Sequence, residues 1–391
     1  MPVIARSVYD TDINSHEAGL SCARALLERI GATPAVALTY LTVNHDQAAF
    51  LRGLRDVLGA GTCILGCSGQ GVMGSGVVRE EGYAAGVMGL GAIGAPVVGA
   101  RVEDIQVDTA AKGRALGRAI VQRLGQTPRV AVLHYDPLCG VDMDLFLAGL
   151  DEVLGCPIVG GGAGHIYGPM RTTFQYFNDE VTSRAAVAVG LAGDFTAELA
   201  ITIGCSPVGI EMTVTRAQGN NVLELDGRPA LDVWKEITGA GAPDLDHTAA
   251  LALGVVRGGS EGSGEYLIRS AFGVDHARGG VILQAGIPEG TQVMLHHRTV
   301  SDILEGSARM GEELGRRLRG KTVRAVLGFE CGARTLPFLG MEAARKENLL
   351  LQQAVGRDAE WLGLLAWGEI YPVGGRTAFH NYTYPVLAIA D

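Results

Sequence analysis

Lysine is scarce in this chain. Only Lys112, Lys235, Lys321 and Lys346 stand among 32 basic residues, beside abundant Ala and Gly. That bias points to a GC-rich bacterial genome and says nothing about function. Positive charge as a whole is in deficit, with 42 acidic residues and a formal charge of −10. Nucleic acid and anionic membrane are therefore not expected as the main partners. Cysteine pairs are missing: the seven cysteines are scattered, with no Cys-x-x-Cys. Cys63 and Cys67 are four apart, but no second pair or spaced histidines follow, so no zinc site is expected. Reduced thiols in the cytoplasm fit this usage best. The nine histidines include no H-E-x-x-H and no paired metal spacing. Met1 to Asp12 carries no basic-then-apolar signal sequence. The uncharged run Gly82 to Ala100 holds six glycines and Pro96. Its alternation reads as strand-turn-strand rather than as a membrane span, so no membrane insertion is expected.

What is present is an ordered globular chain. Its 391 residues are 47% apolar and 19% charged, enough for two domains with their own cores. The closing stretch, Trp361 to Asp391, reads as apolar strand, polar loop, apolar strand. The same arrangement recurs from Ile64 to Leu90 and from Pro157 to Leu191, each around a Gly-rich loop. Helical stripes are expected at 15–30, from Asp46 to Leu58, and at 108–124, 142–154, 301–319 and 338–355. Buried strands are expected at 35–41, 62–67, 130–134, 157–160 and 361–367, with further strands between 197 and 219 and at 265–272, 280–285 and 291–297. Leu314-Gly315-Arg316 matches Leu116-Gly117-Arg118, and Ala325-Val326-Leu327 matches Ala131-Val132-Leu133. This ordered succession predicts an internal duplication in which helices 142–154 and 338–355 are equivalent. The fold class expected is α/β (α+β mixed), two related halves with mixed β-sheets covered by helices. Gly258 to Gly264 reads as the most flexible segment.

Few motifs carry chemistry. Gly69-Gln70-Gly71-Val72-Met73-Gly74 spells G-x-G-x-x-G after a strand, but Ser75 to Gly82 shows no helical stripe to hold a pyrophosphate. Gly66-Cys67-Ser68-Gly69-Gln70 misses a nucleophile elbow because Gln70 stands where Gly is needed. Cys67 or Ser68 would act as a nucleophile only with a base nearby, and the sequence identifies none. The favoured reading is that these small residues let the backbone pack tightly or approach a ligand. His165, His297 and His380 are the candidates for a single axial haem ligand. Phe329-Glu330-Cys331-Gly332-Ala333-Arg334 lies just past a buried strand's C-terminal end, where ligand sites collect in α/β sheets.

Five segments together carry a resemblance. They are the Gly-Cys-Ser loop at 66–68, Glu224 to Ala230, Cys331 to Arg334, Gly368-Glu369-Ile370 and His380-Asn381-Tyr382-Thr383. In order and spacing they resemble the FIST family (F-box and intracellular signal transduction proteins). The likeness spans an N-terminal region, 1–215, and a C-terminal region, 216–391. It implies a cytoplasmic sensory module that binds a small ligand such as an amino acid. It also implies a signalling partner such as a histidine kinase; with no kinase, GGDEF-type or F-box segment here, output passes through a separate protein. Some relatives resemble haem-binding nitric oxide sensors, so haem is the alternative cofactor to none. A Cys/Ser-dependent hydrolase or acyltransferase is the third reading, and no catalytic residues or metal ligands are assigned.

Topology then places a site. Val323 to Phe329 and Trp361 to Trp367 are apolar strands followed at once by charged residues. As parallel neighbours they would bring their C-terminal ends together. Glu330, Arg334, Glu369, His380 and Asn381 are expected to converge there. Gly66, Cys67, Ser68 and Gly69 would form a backbone nest as the opposite wall. Arg334 would hold a ligand carboxylate, and the glutamates an ammonium.

Overall fold

The computed structural model describes residues 3–91, 96–166, 172–238, 250–256, 266–356 and 358–391. Gly258 to Gly264 lies outside them. The chain is mixed α/β, with four sheets and helices packed on them. No helix among the described residues is long and apolar enough to cross a membrane.

One unit is built three times. Its first copy runs Ile4–Asp10 (strand), Ser15–Ile30 (helix), Val36–Thr42 (strand), Gln47–Leu58 (helix) and Cys63–Gly69 (strand). A hairpin, Val72–Gly74 with Val77–Arg79, and the strand Ala85–Gly91 complete it. The second copy repeats this order from Val97–Glu103 to Ala185–Leu191, and the third from Thr196–Thr202 to Tyr384–Ala390. Met143–Leu154 joins the parallel strands Val130–Tyr135 and Ile158–Gly162. Gly340–Val355 joins the parallel Val323–Cys331 and Glu360–Ala366 in the same way. The two helices expected to be equivalent are so, and the first half of the chain holds two copies of the unit.

Local chemistry explains the elements. Asn14 accepts from the Glu17 N–H at the start of Ser15–Ile30, and Gly31 closes that helix in the left-handed region. The helices of each unit cross closely where glycines meet. A Cβ on Gly19 would lie 2.3 Å from the Phe50 carbonyl, and one on Gly53 2.3 Å from that of His16. The strand Val36–Thr42 is buried at every position, which is why it reads as a continuous apolar run.

The loops differ from expectation. Each folds into a hairpin that leaves its own unit. Val72–Gly74 pairs with Glu360–Ala366, Gln175–Phe177 with Cys63–Gly69, and Glu369–Val373 with Ile158–Gly162. The exchange is cyclic and locks the three units together. Where they meet, Tyr40, His134 and Phe329 hold corresponding places, with ring centroids 5.2 and 5.8 Å apart. His134 bonds to the Tyr40 hydroxyl at 3.1 Å and the Gly161 carbonyl at 3.0 Å. Burial lowers its pKa to about 4, so it is neutral.

The third unit carries an insertion, residues 206–297. Ser206–Gln218, Gln292–His297, Leu251–Val256, Tyr266–Asp275, Gly280–Leu283 and Asn221–Leu225 pair in that order. Ser206–Gln218 also pairs with Asn221–Leu225, closing six strands into a barrel. Leu231 and Trp234 of the helix Ala230–Thr238 join the barrel core. The division expected at 215/216 falls inside the first barrel strand.

Candidate functional site

Val323–Cys331 and Glu360–Ala366 are parallel neighbours, and their C-terminal ends lie side by side as expected. Successive residues on a strand face opposite sides, so Glu330 and Cys331 point apart. The site is consequently split in two.

On the helix side, Arg334 is fully buried. It contacts Glu330 at 3.4 Å, pairs with Glu347 and bonds to Ser307 Oγ at 3.4 Å. Its Nη1 also donates to the carbonyls of Tyr382 at 3.0 Å and Ile203 at 3.2 Å. Burial works against its charge, but Glu347 and Glu330 outweigh that and hold its pKa up. Burial raises the Glu330 pKa well above the carboxylate range; Glu347 raises it further, and Arg334 opposes. Arg334 is thus compensated by two carboxyl groups inside the protein. It is closed to a ligand carboxylate.

On the other face stands Glu369. The exchanged hairpin sets it opposite His380 and Gly161. Its Oε2 accepts from the Thr383 N–H at 3.1 Å and the Thr383 hydroxyl at 2.9 Å. Its Oε1 has no hydrogen-bond partner among the described residues, although Glu369 is fully buried. Burial pushes its carboxyl up to about 8, against the opposing pull of the Thr383 bonds, a Cys331 thiol hydrogen bond and the Arg334 charge. The buried Cys331 thiol beside it is pushed up by burial and by Glu369. Arg298 is stacked between the rings of Phe338 at 4.1 Å and Tyr382 at 3.9 Å, and donates to the Ala333 carbonyl at 2.8 Å.

Asn381 links this site to the barrel. Its N–H donates to the Ile268 carbonyl, its Oδ1 accepts from the Ser270 N–H, both at 3.1 Å, and its amide bonds to Gln284. Arg269 of the same barrel strand bonds to the Phe379 carbonyl and to Asp144 at 2.9 Å. His380 lies 3.2 Å from the Tyr371 carbonyl through Nε2. Glu330, Arg334, Glu369 and the 380–383 segment thus gather within one region, but Arg334 and Asn381 are committed to the protein.

The N-terminal segment is not an open nest. Gly66 to Gly69 lie in a buried strand, and a Cβ on Gly66 would sit 1.8 Å from the Thr39 carbonyl. The Cys67 thiol is fully buried and pushed well up by burial. The Ser68 hydroxyl donates to the Gly164 carbonyl at 2.9 Å and accepts from the Phe174 N–H at 3.0 Å. Gln70 donates at 2.9 Å to Glu80 and to the Gly332 carbonyl, and accepts from the Trp367 indole at 2.9 Å. These glycines serve interlocking, with the segment's reach toward Gly332 made by Gln70. The G-x-G-x-x-G run continues into the strand Val72–Gly74, with no helix to receive a phosphate. His165 is half-buried beside the Ile166 carbonyl, His297 is exposed on the barrel, and neither accompanies His380. Among the described residues no three His, Cys, Asp or Glu side chains gather as metal ligands. A depression of about 500 Å³ at Gln126 to Arg129 and Gly155 to Pro157 opens at the opposite, N-terminal ends of its strands.

Three residues of this region escaped the sequence reading: Ser307, Glu347 and Arg298. Ser307 and Glu347 sit on the buried stripes of their helices, among Ile303, Met310, Ala344 and Leu351. A carboxylate inside an apolar stripe was the available signal.

An uncharacterized protein of Mycobacterium tuberculosis is 28% identical over 384 residues, covering 95% of each chain. An uncharacterized protein of Mycobacterium bovis is 27% identical over 248 residues, 61% of this chain and 62% of that one, so this match spans less than two thirds of its length. Among solved structures, T. maritima PurL complexed with ADP overlaps 99% of this chain and 71% of its own at 12% identity. Its TM-score of 0.24 carries no argument. The FIST N domain matches residues 35–228 and the FIST C domain residues 230–372, and the chain belongs to the FIST family, whose domains are sensory domains of signal transduction.

Proposed function

We propose that this protein is a small-molecule sensor whose ligand reaches Glu369, beneath the barrel of the third unit. One observation carries the reading: a fully buried carboxyl whose Oε1 makes no regular hydrogen bond among the described residues, with the Cys331 thiol beside it as a weak donor. Buried polar groups are nearly always satisfied, so such an oxygen marks a place for a ligand polar group, and for a donor once the carboxyl gives up its proton. A ligand ammonium is that donor, and an amino acid or similar zwitterion the ligand class. Arg334 does not meet the ligand's carboxylate, because Glu330, Glu347 and two carbonyls already occupy it.

Access to Glu369 requires the barrel to shift, since the residue is closed to solvent. The barrel meets the ring through bonds of Asn381, Arg269 and Arg298 and through apolar contacts of Ala252 and Ile268 with Cys331 and Tyr382. A ligand that favours one barrel position over another changes the surface offered to a partner. That partner is a separate signalling protein, a histidine kinase being the candidate. Seven free cysteines support a cytoplasmic setting.

The experiment is a thermal-shift screen with the individual L-amino acids on the parent protein and on Glu369→Gln. At least one amino acid should raise the parent's melting temperature by more than the variant's. Equal shifts in both proteins would place the ligand elsewhere.

A further inference from the structure

The threefold repeat gives every unit a counterpart of the Glu369 position. Gly66, Gly160 and Gly363 hold one place, paired with Thr39, Leu133 and Gly328. One residue along, the exchanged hairpins present Gln175, Glu369 and Val72. Arg79 stands across its hairpin from Val72, as His380 stands across from Glu369. The Thr42 N–H bonds to the Ala84 carbonyl just as that of Cys331 bonds to Thr383. His45 falls three residues past Thr42, where Arg334 falls three past Cys331. Ser15 lies 3.1 Å from His45, as Ser307 lies 3.4 Å from Arg334.

In the third unit this place is closed beneath the barrel. In the first unit the helix Ser15–Ile30 follows Ile4–Asp10 directly, with no insertion between them. A cleft of about 360 Å³ opens there, with Asp10, Thr11, Val72, Arg79 and Ala84 among its walls. That volume is at the small end of ligand clefts. Asp10 accepts one bond, from the Asp12 N–H at 2.7 Å. The Arg79 guanidinium has no ion-pair or hydrogen-bond partner among the described residues. Beside the cleft, His45 Nε2 is buried with no partner among the described residues.

We propose that this cleft is a second small-molecule site, open to solvent, for an amino-acid-sized zwitterion. Arg79 takes the carboxylate through paired N–H bonds, and Asp10 takes the ammonium. The geometry is independent of Glu369, so the two sites stand or fall separately.

Calorimetric titration of the full chain with individual L-amino acids tests it, using the parent, Arg79→Ala, Asp10→Asn and Glu369→Gln. Unliganded melting curves of both cleft variants should match the parent's, since each changes one cleft-wall side chain outside the buried core. For the amino acid that binds, each cleft variant should weaken one binding event by about tenfold or more, and Glu369→Gln should leave that event intact. Unchanged affinity in both cleft variants, or loss in Glu369→Gln alone, would overturn the second site. So would a parent protein that binds no amino acid.

Discussion

Arg334 and Glu369 show two uses of a buried charge, one structural and one chemical. Arg334 balances Glu330 and Glu347 inside the protein. Arg334→Ala leaves carboxyl groups buried without their cation and should lower stability by about 3–5 kcal/mol in urea unfolding. A loss under about 1 kcal/mol would mean the cluster relaxes freely. Glu369 sets a pH dependence. Its folded pKa of about 8 lies above the unfolded carboxylate value, so the folded state favours the protonated form. Its unfavourable contribution is absent at low pH, grows as pH rises through about 4.5, and levels off above about 8. Stability should fall across that window by on the order of 5 kcal/mol, and Glu369→Gln should remove this part of the slope. Parallel profiles of parent and variant would contradict the assignment. The meeting of Glu330 and Glu369 near adjacent strand ends was legible because charges follow directly on apolar strands. The split of the site was legible too, since Glu330 and Cys331 are consecutive, and alternation alone puts them on opposite faces.

At the scale of elements, stripes and caps made the helices readable: Asn14, Asp46 and Asp142 each accept from an N–H of the first turn. Fully buried strands such as Val130–Tyr135 were readable as apolar runs. The hairpins were not. Val72–Gly74 and Gln175–Phe177 are three residues long, too short for alternation to show, and their partners lie in other units. The glycines beside them read as loop for the same reason, although Gly66 is held between strands. Gly66→Ala places a methyl within 1.8 Å of the Thr39 carbonyl, so the parallel pair must separate. That should lower stability by about 2 kcal/mol or more, seen as an earlier denaturation midpoint at unchanged slope. An unaltered midpoint would show that the strands part easily.

For the whole molecule, three exchanged hairpins make a rigid ring, and the barrel is an attachment to one of its units. Asn381 is one of its links to the ring, beside Arg269 and the apolar contacts of Ala252 and Ile268. Asn381→Ala should speed hydrogen exchange in Tyr266–Asp275 while leaving the exchange of Val130–Tyr135 as it was. Equal acceleration in both strands would mean that barrel and ring open as one body. The central claim, an ammonium-bearing ligand on Glu369, is tested most directly by proton release on binding. Near pH 7 a carboxyl of pKa about 8 is mostly protonated, and the arriving ammonium displaces that proton. Titration calorimetry in buffers of different ionisation heat should show about one proton released per amino acid bound to the parent and none with Glu369→Gln. A binding heat that does not depend on the buffer would contradict it.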